Sequence, residues 1–161
     1  MNTLDRDYLS VARAILLNGN KKDDRTGTGT KSLFGNFITF PMIQGFPMLT
    51  TKKVYWKGVV EELKWFLKGD VYAKTLQDKG VKIWDADAAR NGRDDTYLGP
   101  IYGHQWRKKS QYGVQKDQIK LLMEGLRSDP DSRRHLVSSW DVMELDKMVL
   151  PPCHYAFQCY V

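Results

Sequence analysis

The sequence predicts a mixed α/β fold in a single domain. Three observations carry that expectation. Amphipathic helical stripes recur at three places, short strand-like runs lie between and after them, and a length of 161 residues suits one domain. Hydrophobic residues make up 42% and charged residues 27%, an ordinary globular balance that argues against wholesale disorder.

The first helix is carried by Tyr8, Val11, Ala12, Ile15 and Leu16 at helical spacing, and Asn18-Gly19 supplies its stop. A polar, glycine-rich loop is expected over residues 20–30. Residues 33–40 read as a strand with Phe34, Ile38 and Phe40 on one face, after which Pro41, Gly45 and Pro47 punctuate the chain. A second helix covers 55–68 and ends at Gly69, with Trp56, Val59, Val60, Leu63, Phe66 and Leu67 as its core stripe. Residues 85–98 read as a polar loop. A third helix over 116–127 buries Ile119, Leu122, Met123 and Leu126, and the turn cluster at 128–132 leads to strands over 135–140 and 155–161. No internal repeat, low-complexity tract or interdomain linker is visible.

Lys and Arg number 25 against 19 Asp and Glu, a formal net charge of +6. That balance favours anionic ligands, but the basic residues are scattered and do not single out nucleic acid. No apolar run approaches the ~18–20 residues of a membrane span. Residues 1–18 include Asp5 and Asp7 and lack the apolar core of a secretory leader. The two cysteines, Cys153 and Cys159, share one strand-like segment in which they lie too far apart for easy bridging. A reducing, cytoplasmic setting follows as the default.

Several residues carry chemistry, each with a plainer alternative. Pro151-Pro152-Cys153-His154 presents a thiol behind a rigid backbone. A free thiol has a pKa of about 8.5, so an activated thiolate needs cationic neighbours, which His154 and Arg133-Arg134 would supply. The alternative is a buried structural cysteine. Asp24-Arg25-Thr26-Gly27-Thr28-Gly29-Thr30 combines a cation, hydroxyls and glycines as a phosphate-binding loop would, or forms a surface turn. It lacks the spacing of a P-loop. Arg133-Arg134 suits a phosphate dianion, or is a solvated pair bridged to Asp129 or Asp131. Glu62 lies at the edge of the second helix's apolar stripe, where desolvation would raise its pKa; its alternative is a tip that snorkels to water, and Glu61 is expected to point further toward solvent. Ile83-Trp84-Asp85 and the aromatic run from Leu98 to Arg107 line a pocket for a flat ring, or form core.

The order of these segments is more specific than any one of them. Asp24-Arg25-Thr26-Gly27-Thr28-Gly29, Glu62-Leu63-Lys64-Trp65-Phe66, Ile83-Trp84-Asp85, Gly99-Pro100-Ile101-Tyr102-Gly103-His104-Gln105-Trp106-Arg107, Arg133-Arg134 and Leu150-Pro151-Pro152-Cys153-His154 in that succession resemble thymidylate synthase over about residues 8–161. The resemblance implies one catalytic domain over 1–161, with an α/β (α+β) fold: a mixed sheet with helices on one side, and the other sheet face packed on a second subunit of a homodimer. It implies reductive methylation of dUMP to dTMP with 5,10-methylenetetrahydrofolate as co-substrate and no metal. Cys153 would be the nucleophile at C6 of the pyrimidine. Glu62 would organise water and proton transfers, Tyr102 would assist loss of the C5 proton, and His154 would support the water network. Arg25 would hold the phosphate with Arg133 and Arg134 of the partner subunit. Ile83, Trp84 and Leu150 would pack on the folate rings. A membrane and nucleic acid are not required.

Two departures from the family pattern shape the expectation. The second tryptophan that many synthases carry after Ile-Trp-Asp is replaced by Ala86-Asp87-Ala88-Ala89. The Gln-Arg-Ser-x-Asp, Phe-Asn-x-x-Ser-Tyr and His-x-Tyr motifs that follow the cysteine strand in the family are absent, so the 161 residues correspond to the N-terminal portion and are expected to be inactive alone. A hydroxymethylase acting on dUMP or dCMP, or a non-catalytic truncated paralogue, stands as the alternative.

Overall fold

A computed structural model describes residues 2–24, 27–90, 92, 94–107, 109–111 and 113–161. The architecture is α+β: helices with small antiparallel ribbons. The chain divides into two compact units, Met1–Val54 and Tyr55–Val161.

The first unit begins with helix α1, Thr3–Asn18. The Asn2 side chain caps it by accepting the Asp5 N–H at 2.7 Å, and the Gly19 N–H closes its far end on the Ile15 carbonyl at 2.8 Å. Asp5 is fully buried. Its carboxylate accepts the Thr50 N–H at 2.8 Å and the Thr50 hydroxyl, which ties the first turn of α1 to the end of the unit. Strands β1 (Asn20–Lys22) and β2 (Thr30–Ser32) pair antiparallel with Lys21 opposite Lys31. The segment read as a loop therefore holds β1 and the first residue of β2. The strand expected over 33–40 does not form. Gly35 takes a φ of 75°, which breaks an extended run, and Phe34 and Phe37 are almost fully exposed.

The second unit holds the larger core. Helix α2, Trp56–Leu67, matches the expected boundaries, but its buried face differs from the expected stripe. Trp65 and Phe66 are buried, whereas Trp56, Val59 and Leu63 are exposed. The reason is tertiary: the Phe66 ring lies 4.5 Å from Tyr102 and 5.5 Å from Trp106, and Trp65 lies 5.9 Å from Trp84. Aromatic partners on other elements, not the local apolar average, select the face that turns inward. Short helices α3 (Ala73–Gln77), α4 (Asp85–Arg90) and α5 (Tyr102–Arg107) follow. α4 occupies the start of the segment read as a polar loop.

Gly103 lets α5 approach the chain that leaves α2. A Cβ there would sit 2.4 Å from the Asp70 carbonyl oxygen. Gly99 has a φ of 85° and faces the Lys147 carbonyl just as closely, so the Gly-Pro-x-Tyr-Gly motif is in part a packing requirement. Strands β3 (Lys109–Gln111) and β4 (Val114–Lys116) pair antiparallel, and helix α6, Gln118–Ser128, starts at Asp117, whose side chain accepts the Lys120 N–H at 2.9 Å. α6 buries Leu122 and partly buries Ile119 and Leu126, while Met123, expected inside, is exposed. Strands β5 (Leu136–Ser138) and β6 (Ala156–Gln158) pair antiparallel with Val137 opposite Phe157. Both are shorter than the runs expected over 135–140 and 155–161. In place of one mixed sheet, the described residues contain three two-stranded antiparallel ribbons.

Candidate active site

The second unit gathers a thiol, an imidazole, a phenol and a carboxylate around the end of the aromatic core. Cys153 precedes β6 and is exposed, which removes the buried structural reading of this residue. Pro152 before it is buried and fixes the backbone. The Cys153 N–H donates to Tyr102 Oη at 2.8 Å, and the His154 N–H reaches the same oxygen at 3.3 Å. His154 is exposed, and its ring meets the Tyr102 ring edge-on at 5.8 Å. α5 thus carries a phenol that accepts two consecutive backbone amides of the cysteine loop.

Tyr102 itself is buried. Burial pushes its pKa up, the two amides pull it down less strongly, and the Cys153 and Glu62 charges add a smaller upward push. It rests as the neutral phenol.

Glu62, on α2, is half-buried and accepts the Trp84 indole N–H at 2.7 Å. Burial holds its carboxyl above the ordinary carboxylate range, although the Trp84 bond and the nearby His154 pull it down. Of the two readings the helix edge left open, the structure shows the partly desolvated carboxylate. The neighbouring Glu61 does not point to open solvent as expected: it pairs with Lys64 at 3.2 Å and with Lys79, and those hydrogen bonds lower its pKa.

Trp84 is 6% exposed and lies in the core, where it orients Glu62. Ile83 beside it is 43% exposed, and Leu150 packs partly buried on the core edge. Among the three expected ring-contact residues, only Ile83 is exposed; Trp84 is buried in the core against Trp65 and Tyr102, which leaves its ring covered in this chain.

The two arginines that precede β5 are exposed, and neither forms an ion pair with Asp129 or Asp131 among the described residues. Their position relative to the thiol follows from the β5–β6 register. Gln158 Nε2 donates to the Arg133 carbonyl at 3.0 Å, so Arg133 lies beside the C-terminal end of β6, whereas Cys153 lies before its N-terminal end. One chain therefore sets Arg133-Arg134 and Cys153 at opposite ends of the ribbon. Arg25 lies outside the described residues.

Sequence reasoning missed the polar bonds that hold this frame. Trp106 Nε1 donates to the buried Ser139 hydroxyl at 2.6 Å. Gln118 grips Ser138 twice, donating to its carbonyl at 2.8 Å and accepting its N–H at 2.9 Å. Arg107 donates to the Asp117 carboxylate at 2.9 Å and to the Leu67 carbonyl, joining α5 to the start of α6 and the end of α2. The Gln105-Trp106-Arg107 triplet was the available signal, since three such side chains in a row on a buried helix each need a partner. No cluster of His, Cys, Asp or Glu able to hold a metal ion occurs among the described residues, and none of their helices is long and apolar enough to cross a membrane.

An α+β chain in which a buried phenol holds the backbone of an exposed cysteine, with a partly desolvated carboxylate acting on the same phenol, is a frame for nucleophilic chemistry. The family model described as thymidylate synthase matches residues 6–161, and the chain belongs to the thymidylate synthase family.

Proposed function

We propose that the protein is a thymidylate synthase that converts dUMP to dTMP by reductive methylation, with Cys153 as nucleophile. The observation that carries this reading is the Cys153–Tyr102–Glu62 arrangement: an exposed thiol whose backbone is fixed by a buried phenol, next to a carboxylate kept basic by burial.

C5 of uracil is a poor nucleophile. Addition of the Cys153 thiolate to C6 moves the C5–C6 electron pair into the C4 carbonyl, and the resulting enolate makes C5 nucleophilic. 5,10-Methylenetetrahydrofolate supplies the one-carbon unit and the hydride when bound. The C5 proton must leave before dTMP is formed and the thiolate is expelled. Glu62 accepts and returns protons through water at the base, a task that the raised proton affinity given by its burial favours. Tyr102, held as a phenol, steadies the thiol's loop and lends its hydroxyl to proton traffic at C5. His154 borders the same water.

Arg25, Arg133 and Arg134 hold the phosphate. The ribbon register supports a working homodimer in which the arginine pair serves the thiol of the other subunit. Ile83 and Leu150 fit a flat ring at the core edge, with Trp84 supporting that surface and Glu62 together. Two cysteines without a disulfide between them suit a reducing, cytoplasmic setting for the reaction.

The test is release of the C5 hydrogen from labelled dUMP by the full-length protein. Release that requires methylenetetrahydrofolate, with matching formation of dihydrofolate, supports the reading. Release without dihydrofolate points to hydroxymethylation, and no release overturns the proposal.

A further inference from the structure

His135 follows the arginine pair directly, and nothing in the chemistry above uses it. It is nonetheless one of the few buried polar side chains, with 4% of its surface exposed. Its Nε2 lies 3.0 Å from the Asp129 carbonyl oxygen and 3.3 Å from that of Pro130. Two carbonyls accept only, so Nε2 carries the hydrogen. Asp129 is the C-cap of α6, and its carbonyl also accepts the Ser132 N–H at 3.1 Å. The ring thus adds a second donor to the Asp129 oxygen and reaches the Pro130 oxygen beside it, tying the loop just past the helix end to β5. Its seat exists because residue 125 is glycine: a Cβ there would lie 3.1 Å from His135 Cε1. The His135 carbonyl accepts the Cys159 N–H at 2.9 Å, which fixes the residue to the β6 side as well.

The loop from Asp129 to His135 is therefore closed on itself by the imidazole, and Arg133 and Arg134 are the exposed cationic residues it presents, alongside exposed Asp129, Pro130 and Asp131. We propose that His135 is a positioning residue: its ring pins this loop and thereby sets the affinity of the arginine pair for a phosphate monoester. The inference rests on the dUMP reading for the identity of that ligand. A pinned loop presents the two guanidinium groups without first losing the conformational freedom of the whole segment.

The test uses the full-length protein, dUMP and deoxyuridine as probes, and limited trypsin digestion, which cuts after Arg133 and Arg134. His135→Leu keeps apolar volume and removes the donor; His135→Gln keeps a donor at a similar reach. In the Leu variant, dUMP binding should weaken about tenfold, the scale of one charge-assisted contact. Deoxyuridine binding should stay unchanged, and cleavage at the arginine pair should accelerate. The Gln variant should restore both. Cleavage of the Leu variant at the wild-type rate overturns the clamp. Faster cleavage with unaltered preference for dUMP overturns its link to phosphate. A wild-type protein that does not prefer dUMP to deoxyuridine overturns the dUMP reading instead, and the digestion still decides the clamp. If the Leu variant fails to fold, the Gln variant decides: dUMP binding and cleavage both at wild-type values support the clamp, and a wild-type fold with weakened dUMP binding and fast cleavage overturns the donor role.

Discussion

Two side chains define the chemistry at the residue scale. Cys153→Ser should abolish turnover while dUMP binding survives, because an alkoxide is far less accessible than a thiolate near neutral pH and the phosphate contacts are untouched. Measured hydrogen release above a few per cent of the wild-type rate would remove Cys153 from the nucleophile's role. Glu62 makes a prediction about stability. Its proton is held more tightly in the native protein than the ordinary value of 4.5. Below that value the carboxyl is protonated in both states. As pH rises through the raised native value, the unfolded chain binds fewer protons than the native one, and stability falls. Glu62→Gln keeps an oxygen for the Trp84 N–H and removes this penalty. Its Tm should exceed that of the wild type at pH 7, with the gap closing as pH falls toward 4.5. A variant less stable than the wild type at pH 7 would show that the carboxylate is not desolvated.

At the scale of elements, the Tyr102–Arg107 helix organises the site. It delivers Tyr102 to the cysteine loop, Trp106 to Ser139 and Arg107 to Asp117. Its depth is set by Gly103, which has no space for a side-chain carbon against Asp70. Gly103→Ala should therefore cost about 1–3 kcal/mol, the usual penalty of overpacking, even though alanine favours helix. The same shift would loosen the Tyr102 contact with the Cys153 amide, so activity should fall along with stability. Chemical denaturation checks the first effect and hydrogen release from dUMP the second. A Gly103→Ala protein as stable as the wild type would mean that the helix has room to move outward.

The two units are anchored differently when the whole molecule is considered. The Tyr55–Val161 unit rests on an aromatic core, whereas the Met1–Val54 unit depends on one buried carboxylate, Asp5, and its Thr50 partners. The Thr50 bonds lower the Asp5 pKa. A lowered native pKa adds stability above the unfolded value of about 3.9, and that stability is lost as pH falls through the native one. Asp5→Asn should destabilise α1 at neutral pH and flatten its dependence on acid. Hydrogen exchange of the α1 amides between pH 3 and 7 reads both effects; protection that still falls with acid as in the wild type would assign the acid sensitivity to another group.

How much of this was legible in the sequence depends on the range of the interaction. The helices expected over 55–68 and 116–127 and found at 56–67 and 118–128, the thiol after two prolines and the position of Glu62 at a helix edge all follow from neighbours within a few residues, and the ordered motifs carried the family. The inward face of α2 did not follow, because Trp65 and Phe66 are buried by Tyr102, Trp106 and Trp84 from distant parts of the chain. Nor did the hairpin at 20–32, whose polar strands have no apolar alternation to announce them. The separation of Arg133-Arg134 from Cys153 arises from the register of two strands about twenty residues apart. The Tyr102 bond to the Cys153 amide spans 51 residues. Such bonds leave no periodicity in the sequence; they exist only once the fold has brought a donor and an acceptor together. By itself the sequence determined which reactive groups the chain owns and the helices that carry them. Tertiary structure decided which of those groups meet, because burial and hydrogen bonding are properties of the packed neighbours.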